Sequence, residues 1–245
     1  MRRPSQAQIV AALPPWLVTK VPRDHREPDV AFRRRRKVVA GVTLAGAGLL
    51  GVGLETRPAS WEFYAATAGV AATWIAGGFA SGPLHLGCMQ ARDQTQRRPV
   101  LTPVLTGVGA FGVFYGCALL ARHVPLLDAA MTSVMAYAHQ GSTPLVLATT
   151  LANGAAEEVF LRGALYAAIG KQHPVALSTA AYALVTLPTR NPALVLAATA
   201  MGALFATQRR ASGGIQAPAL THLTWSVLML HYLPPLFRER ELLGS

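Results

Sequence analysis

The sequence predicts an all-α, multi-pass transmembrane helical bundle of about seven spans with its N-terminus inside. Three observations predict it. Just over half of the residues, 52%, are hydrophobic and only 13% are charged, a balance far from that of a soluble domain. The apolar residues gather in runs close to the roughly 17 to 25 residues that a helix needs to cross a bilayer. The positive charge gathers ahead of the first run, because ten of the 22 Lys and Arg precede Val38.

Taken in order, residues 1–37 read as a basic, mostly disordered cytoplasmic arm whose run 33–37 abuts the first span. Basic residues in that place set topology and face anionic lipid headgroups. The net charge of +11 is therefore assigned to the membrane surface rather than to nucleic acid, since no basic module interleaved with aromatics follows. Pro14-Pro15 interrupts the only short apolar stretch of the arm, which lacks the hydrophobic region of a secretory signal. The first span is expected to be retained as an anchor.

Span candidates are 38–54, 63–80, 100–121, 143–170, 174–187, 192–208 and 215–233, followed by a short tail over 234–245. Runs 174–187 and 192–208 are short and depend on packing against neighbours. Thr56-Arg57-Pro58, Ser81-Gly82-Pro83, His173-Pro174 and Asn191-Pro192 mark breaks, with proline placed to start the next helix. Frequent Gly, Ala, Ser and Thr let helix backbones approach closely in lipid. With the N-terminus inside, the inner side carries 16 Lys and Arg and the outer side five, namely Arg57, Arg122, Arg190, Arg238 and Arg240. That asymmetry follows the positive-inside rule. Cys88 and Cys117 give neither a disulfide framework nor metal-ligand spacing, and no HExxH string occurs, so no metal and no cofactor is expected.

Nine of the eleven Asp and Glu fall in the arm, the loops, the tail or at a span rim. Glu157 and Glu158 alone lie deep in a span, in the company of Arg162. A charge at the bilayer centre costs at least about 2.5 to 3.5 kcal/mol, so such residues pair and usually serve function. In an α-helix Arg162 projects on nearly the face of Glu158, four positions away, whereas Glu157 points about 100° aside. Glu158 and Arg162 are expected to neutralise one another, leaving Glu157 without a local partner. Burial and a neighbouring carboxylate both strengthen a carboxylate as a base, which makes Glu157 the candidate general base for water. The same three residues can also be read as an ion pair that locks helices together. His222 and, one turn on, Ser226 share a face of the last span. A single intramembrane His serves either packing or catalysis.

The string Glu157-Glu158-Val159-Phe160-Leu161-Arg162-Gly163 resembles the EExxxR motif of the CPBP family, the CAAX-processing and bacteriocin-processing intramembrane proteases also called Abi proteins. The resemblance extends over residues 143–230. Ser178 to Thr186, ending Tyr182-Ala183-Leu184-Val185-Thr186, looks like the family's FxxxH segment. His222-Leu223-Thr224-Trp225-Ser226 is similar to its HxxxN. In that family the first Glu of the doublet and the FxxxH histidine activate water, while the last His and Asn stabilise the oxyanion. The resemblance thus implies Glu157 as base, Glu158 and Arg162 as residues shaping the site, and His222 as an oxyanion donor. Thr186 and Ser226 stand where the family has His and Asn, as possible site-lining hydroxyls. Neither hydroxyl replaces imidazole as a base.

These readings lead to a glutamic endopeptidase of CPBP type, with its protease-like core over 143–233, that hydrolyses a peptide or membrane-protein substrate in a bacterial plasma membrane. The alternative is a catalytically silent member that keeps the fold and its polar cavity to bind a membrane partner.

Overall fold

A computed structural model of the protein describes residues 27–90 and 95–237. The expectations placed on the arm over 1–26 and on the tail over 238–245 lie outside the described residues. All seven apolar runs form helices. These are α1 (Asp29–Gly53), α2 (Trp61–Ser81), α3 (Leu101–Ala121), α5 (143–169), α6 (Pro174–Thr186), α7 (Pro192–Ser212) and α8 (Gln216–Tyr232). Two differences from expectation stand out. An eighth helix, α4 (Pro125–Gln140), connects α3 to α5; at 16 residues with Asp128 and His139 it is too short and too polar to have registered as a span. And α1 begins at Asp29, so the basic run 33–37 forms its first turns rather than a disordered arm.

Apart from α4, the helices run alternately between the two ends of the bundle, as contacts at those ends demonstrate. At one end Arg35 donates to Ser81 Oγ (3.0 Å) and to the Pro83 carbonyl (3.1 Å). There the loop after α2 also pairs with the α7–α8 turn: Cys88 N–H donates to the Ser212 carbonyl, and the N–H groups of Ile215 and Gln216 donate to the carbonyls of His85 and Leu86, each at 2.9 Å. The loop continues into a two-residue antiparallel pair, β1 (Met89–Gln90) with β2 (Gln96–Arg97). Gly87 has φ of +93° and lies where a Cβ would sit 2.8 Å from the Gly214 nitrogen, so both backbone conformation and space call for glycine. At the opposite end, the Tyr137 hydroxyl of α4 lies 2.9 and 2.8 Å from the carbonyls of Leu54 and Thr56. Asn191 caps α7 by accepting from Leu194 N–H and donates its amide to the Ala130 carbonyl of α4 at 2.8 Å.

Among the described residues, α1, α2 and α3 are each long and apolar enough to cross a membrane by length and composition. Leu44, Phe79, Leu105, Val113, Leu120 and Leu196 are more than half exposed. Apolar exposure on several faces of the bundle suits lipid rather than water, and the chain is an α-helical membrane protein. Its core is made by close backbone approach. Trp74 of α2 lies over Gly46 of α1, where a Cβ would overlap the ring, and its other face stacks on Phe160 of α5 at 4.6 Å.

Gly46→Leu is therefore expected to push α1 off α2. Overpacking of this kind costs about 1 to 3 kcal/mol, read as a lowered thermal midpoint in detergent, with the exposed Gly48→Leu as the unaffected control.

Candidate active site

Helix α5 is not uniform. It is α-helical over Thr143–Glu157, widens to a π-helix over Glu158–Leu165 and closes as an α-helix over Tyr166–Ile169. The widened part holds Glu158 and Arg162, both with fully buried side chains. π-Segments are rare and concentrate at functional sites, where they re-aim side chains that a regular helix would place elsewhere. The carbonyl of Arg162, within this widened turn, accepts from Arg209 Nε of α7 at 2.6 Å, and the Arg209 guanidinium lies over the Tyr166 ring at 5.1 Å.

The two halves of the doublet have different surroundings. Glu158 turns inward, one oxygen facing Arg162 Nε at 3.4 Å and the other His222 Nδ1 at 3.0 Å. Arg162 has further neighbours: Nη2 donates to the Gly202 carbonyl (3.3 Å), and the guanidinium lies over the rings of Tyr182 (4.7 Å) and Phe205 (5.0 Å). Gly202 makes this possible, since a Cβ there would come within 3.2 Å of the Tyr182 ring. The His222 ring stacks on Phe205 at 4.8 Å, and its Nε2 faces the bare flank of Gly154 on α5.

Glu157 turns aside and is partly exposed, as is Tyr182. The Tyr182 hydroxyl donates a short hydrogen bond to Glu157 Oε2. Glu157 also sits close enough to His222, Glu158 and Arg162 for their charges to act on it. Among the described residues, Glu158 Oε2, Arg162 Nε and Nη1, and Ser178 Oγ have no hydrogen-bond partner in the protein. Buried polar atoms of that kind are the usual anchors of ordered water. No group of three or more His, Cys, Asp or Glu among the described residues is arranged to hold a metal ion.

The structure thus brings Glu157, Glu158, Arg162 and His222 together across α5 and α8. Thr186 and Ser226 are both buried one turn beyond it, Thr186 after Tyr182 and Ser226 after His222. The Thr186 hydroxyl donates to the Tyr182 carbonyl of its own helix at 2.9 Å. Glu157 finds its partner on another helix, Tyr182, which the apolar run 174–187 gave no reason to separate from packing residues. Two further bases, Arg35 and Arg209, are buried, each near a helix end where sequence alone suggests solvent. Phe205 and Gly202 were equally invisible as site residues, being ordinary members of an apolar helix.

A helical membrane protein with a carboxylate–guanidinium–imidazole cluster at its centre is the class that this fold and site define. Residues 139–228, which are 90 of the chain's 245 and hold every member of the cluster, match the family described as Type II CAAX prenyl endopeptidase Rce1-like. That segment is similar to Rce1-like domains of the CPBP type, a family of intramembrane proteases. No curated protein and no solved structure matches the chain.

Replacing Arg162 by Met strands Glu158 as a buried charge without its counter-ion, a change expected to cost about 3 to 5 kcal/mol of stability. The Glu158→Gln/Arg162→Met double variant is expected to regain most of it. Thermal unfolding in detergent compares the two; equal losses would show that the charges are not coupled.

Proposed function

We propose that the protein is a CPBP-type intramembrane endopeptidase that hydrolyses a peptide bond at the membrane with water activated by Glu157. One observation carries the reading: of two adjacent carboxylates, Glu158 is sealed between Arg162 and His222, whereas Glu157 is partly exposed and meets a hydroxyl donor. A carboxylate sealed in this way positions, and an accessible one reacts.

In the proposed reaction Glu157 takes a proton from water as the water oxygen bonds to the substrate carbonyl carbon. The developing oxyanion accepts a hydrogen bond from the Tyr182 hydroxyl, and His222, held at Nδ1 by Glu158, is the further candidate donor. When the C–N bond breaks, Glu157 returns the proton to the departing amine. Tyr182 then supplies a donor on the helix where the family motif has its histidine, one turn before Thr186.

The substrate is a peptide or a segment of a membrane protein, and a prenylated CAAX-type peptide is the first to test, because the matched family is described by that activity. For placement we propose seven spans with the N-terminus inside a bacterial plasma membrane. Helix α4 then lies along the outer face, at the end where it meets residues 54, 56 and 191. Arg33, Arg34, Arg36, Lys37, Lys171 and Arg210 are exposed at the other end, the cytoplasmic one. The second reading, a silent binding protein, draws on Thr186, whose hydroxyl is bound to its own helix and brings no imidazole to Glu157.

With the full chain in liposomes and a fluorogenic prenylated CAAX peptide, wild type is expected to cleave. Glu157→Gln is expected to lose about 10² to 10⁴ of the rate and Tyr182→Phe about 10² to 10³. Thr186→His is expected to raise the rate. Equal cleavage by wild type and Glu157→Gln would remove the proposed mechanism, and cleavage appearing only in Thr186→His would favour the silent reading.

A further inference from the structure

A cavity of about 2310 Å³ opens at the end of the bundle where α1 and α6 begin and α7 ends. It is separate from the carboxylate cluster, since neither Glu157, Glu158, Tyr182 nor His222 lines it. Its chemistry is divided. Arg36, Lys171 and Arg210 line it as exposed side chains, and Arg36 rests over the Phe32 ring at 5.9 Å. Two acids line it as well, Asp29 and Glu27, and Glu27 is bound to Arg35, so the cations Arg35, Arg36, Lys171, Arg209 and Arg210 outnumber them. Further in, the wall is made of small apolar residues of α6 and α7, among them Ala180, Ala183 and Ala203. The cavity is larger than the roughly 300 to 1,000 Å³ that suits a drug-sized ligand.

We propose that this cavity is a binding site for an anionic glycerophospholipid of the adjoining leaflet. Basic pockets between membrane helices on the cytoplasmic side suit lipid phosphates, and arginine adds a fork of donors that fits phosphate geometry. The phosphate sits among Arg36, Lys171 and Arg210, at the level of the headgroups, and one acyl chain lies along the alanine-lined wall. The alanines matter as much as the charges: a free phosphate uses only the entrance, whereas a lipid uses both. This inference does not depend on whether Glu157 hydrolyses anything.

The test uses the full chain in detergent and native mass spectrometry with phosphatidylglycerol and phosphatidylcholine of identical chains. Wild type is expected to retain phosphatidylglycerol in preference. Arg36→Gln/Lys171→Gln/Arg210→Gln is expected to bind it about a hundredfold more weakly, from the usual contribution of each basic residue at a lipid surface. Arg33→Gln/Arg34→Gln/Lys37→Gln removes the same charge outside the cavity and is expected to bind within a few-fold of wild type. Ala180→Trp, which keeps every charge and fills the wall, is expected to weaken binding as well. Equal retention of phosphatidylcholine, or an equal loss in the two triple variants, would overturn the proposal. Displacement of the lipid by glycerol 3-phosphate at equal concentration would reassign the site to a free phosphate. Displacement by the prenylated CAAX peptide from wild type would reassign it to the protease substrate.

Discussion

A carboxylate and a guanidinium buried together in the middle of a membrane protein constrain everything around them. Neither Glu158 nor Arg162 touches solvent, so each lone pair and each N–H has to be met by the protein or, as at Glu158 Oε2 and Arg162 Nη1, by ordered water. The widened turn of α5, the glycine at 202 that exposes its carbonyl, the two aromatic faces on Arg162 and the imidazole on Glu158 all answer that demand. Such a pair is costly to leave unmet, and its contacts to Gly202 and His222 tie three helices together. The candidate site and the structural core are therefore the same object here: the pair that anchors α5 to α7 and α8 is also what leaves Glu157 turned the other way.

The bundle tolerates this because its remaining contacts are of a different kind. Apolar side chains gain little by leaving lipid for one another, and close packing has to do the work of association. Glycine under Trp74, glycine at the crossing of α6 and α7, and the Gly87–Gly214 approach each remove a side chain so that a neighbour can come near. The loop after α2 and the turn before α8 share backbone hydrogen bonds much as two strands would. That fixes the start of α8, and so the height of His222, relative to α2 and α3.

Much of this was legible from residues alone. The apolar runs found seven of the eight helices among the described residues, and the spacing of Glu158 and Arg162 found the ion pair. α4 escaped because it is neither long enough nor apolar enough to look like a span, and α1 reaches back into the basic run because arginine and lysine are good helix formers whatever their charge. Tyr182 escaped for a different reason. A tyrosine in an apolar stretch is indistinguishable in sequence from a packing aromatic, and only the meeting of α5 with α6 shows its hydroxyl on Glu157. The buried Arg209 was hidden in the same way, beside an exposed Arg210 that looks identical on paper.

The order of these residues along the chain has a consequence for how the molecule is made. The groups that neutralise α5, namely Tyr182, Gly202, Phe205, Arg209 and His222, are all synthesised after it. A newly made α5 on its own would carry three charges into hydrocarbon at about 2.5 to 3.5 kcal/mol or more each. It cannot settle in lipid as an independent segment and then wait for neighbours. Its burial is tied to the three helices that follow, and a chain truncated before α8 would leave Glu158 without His222.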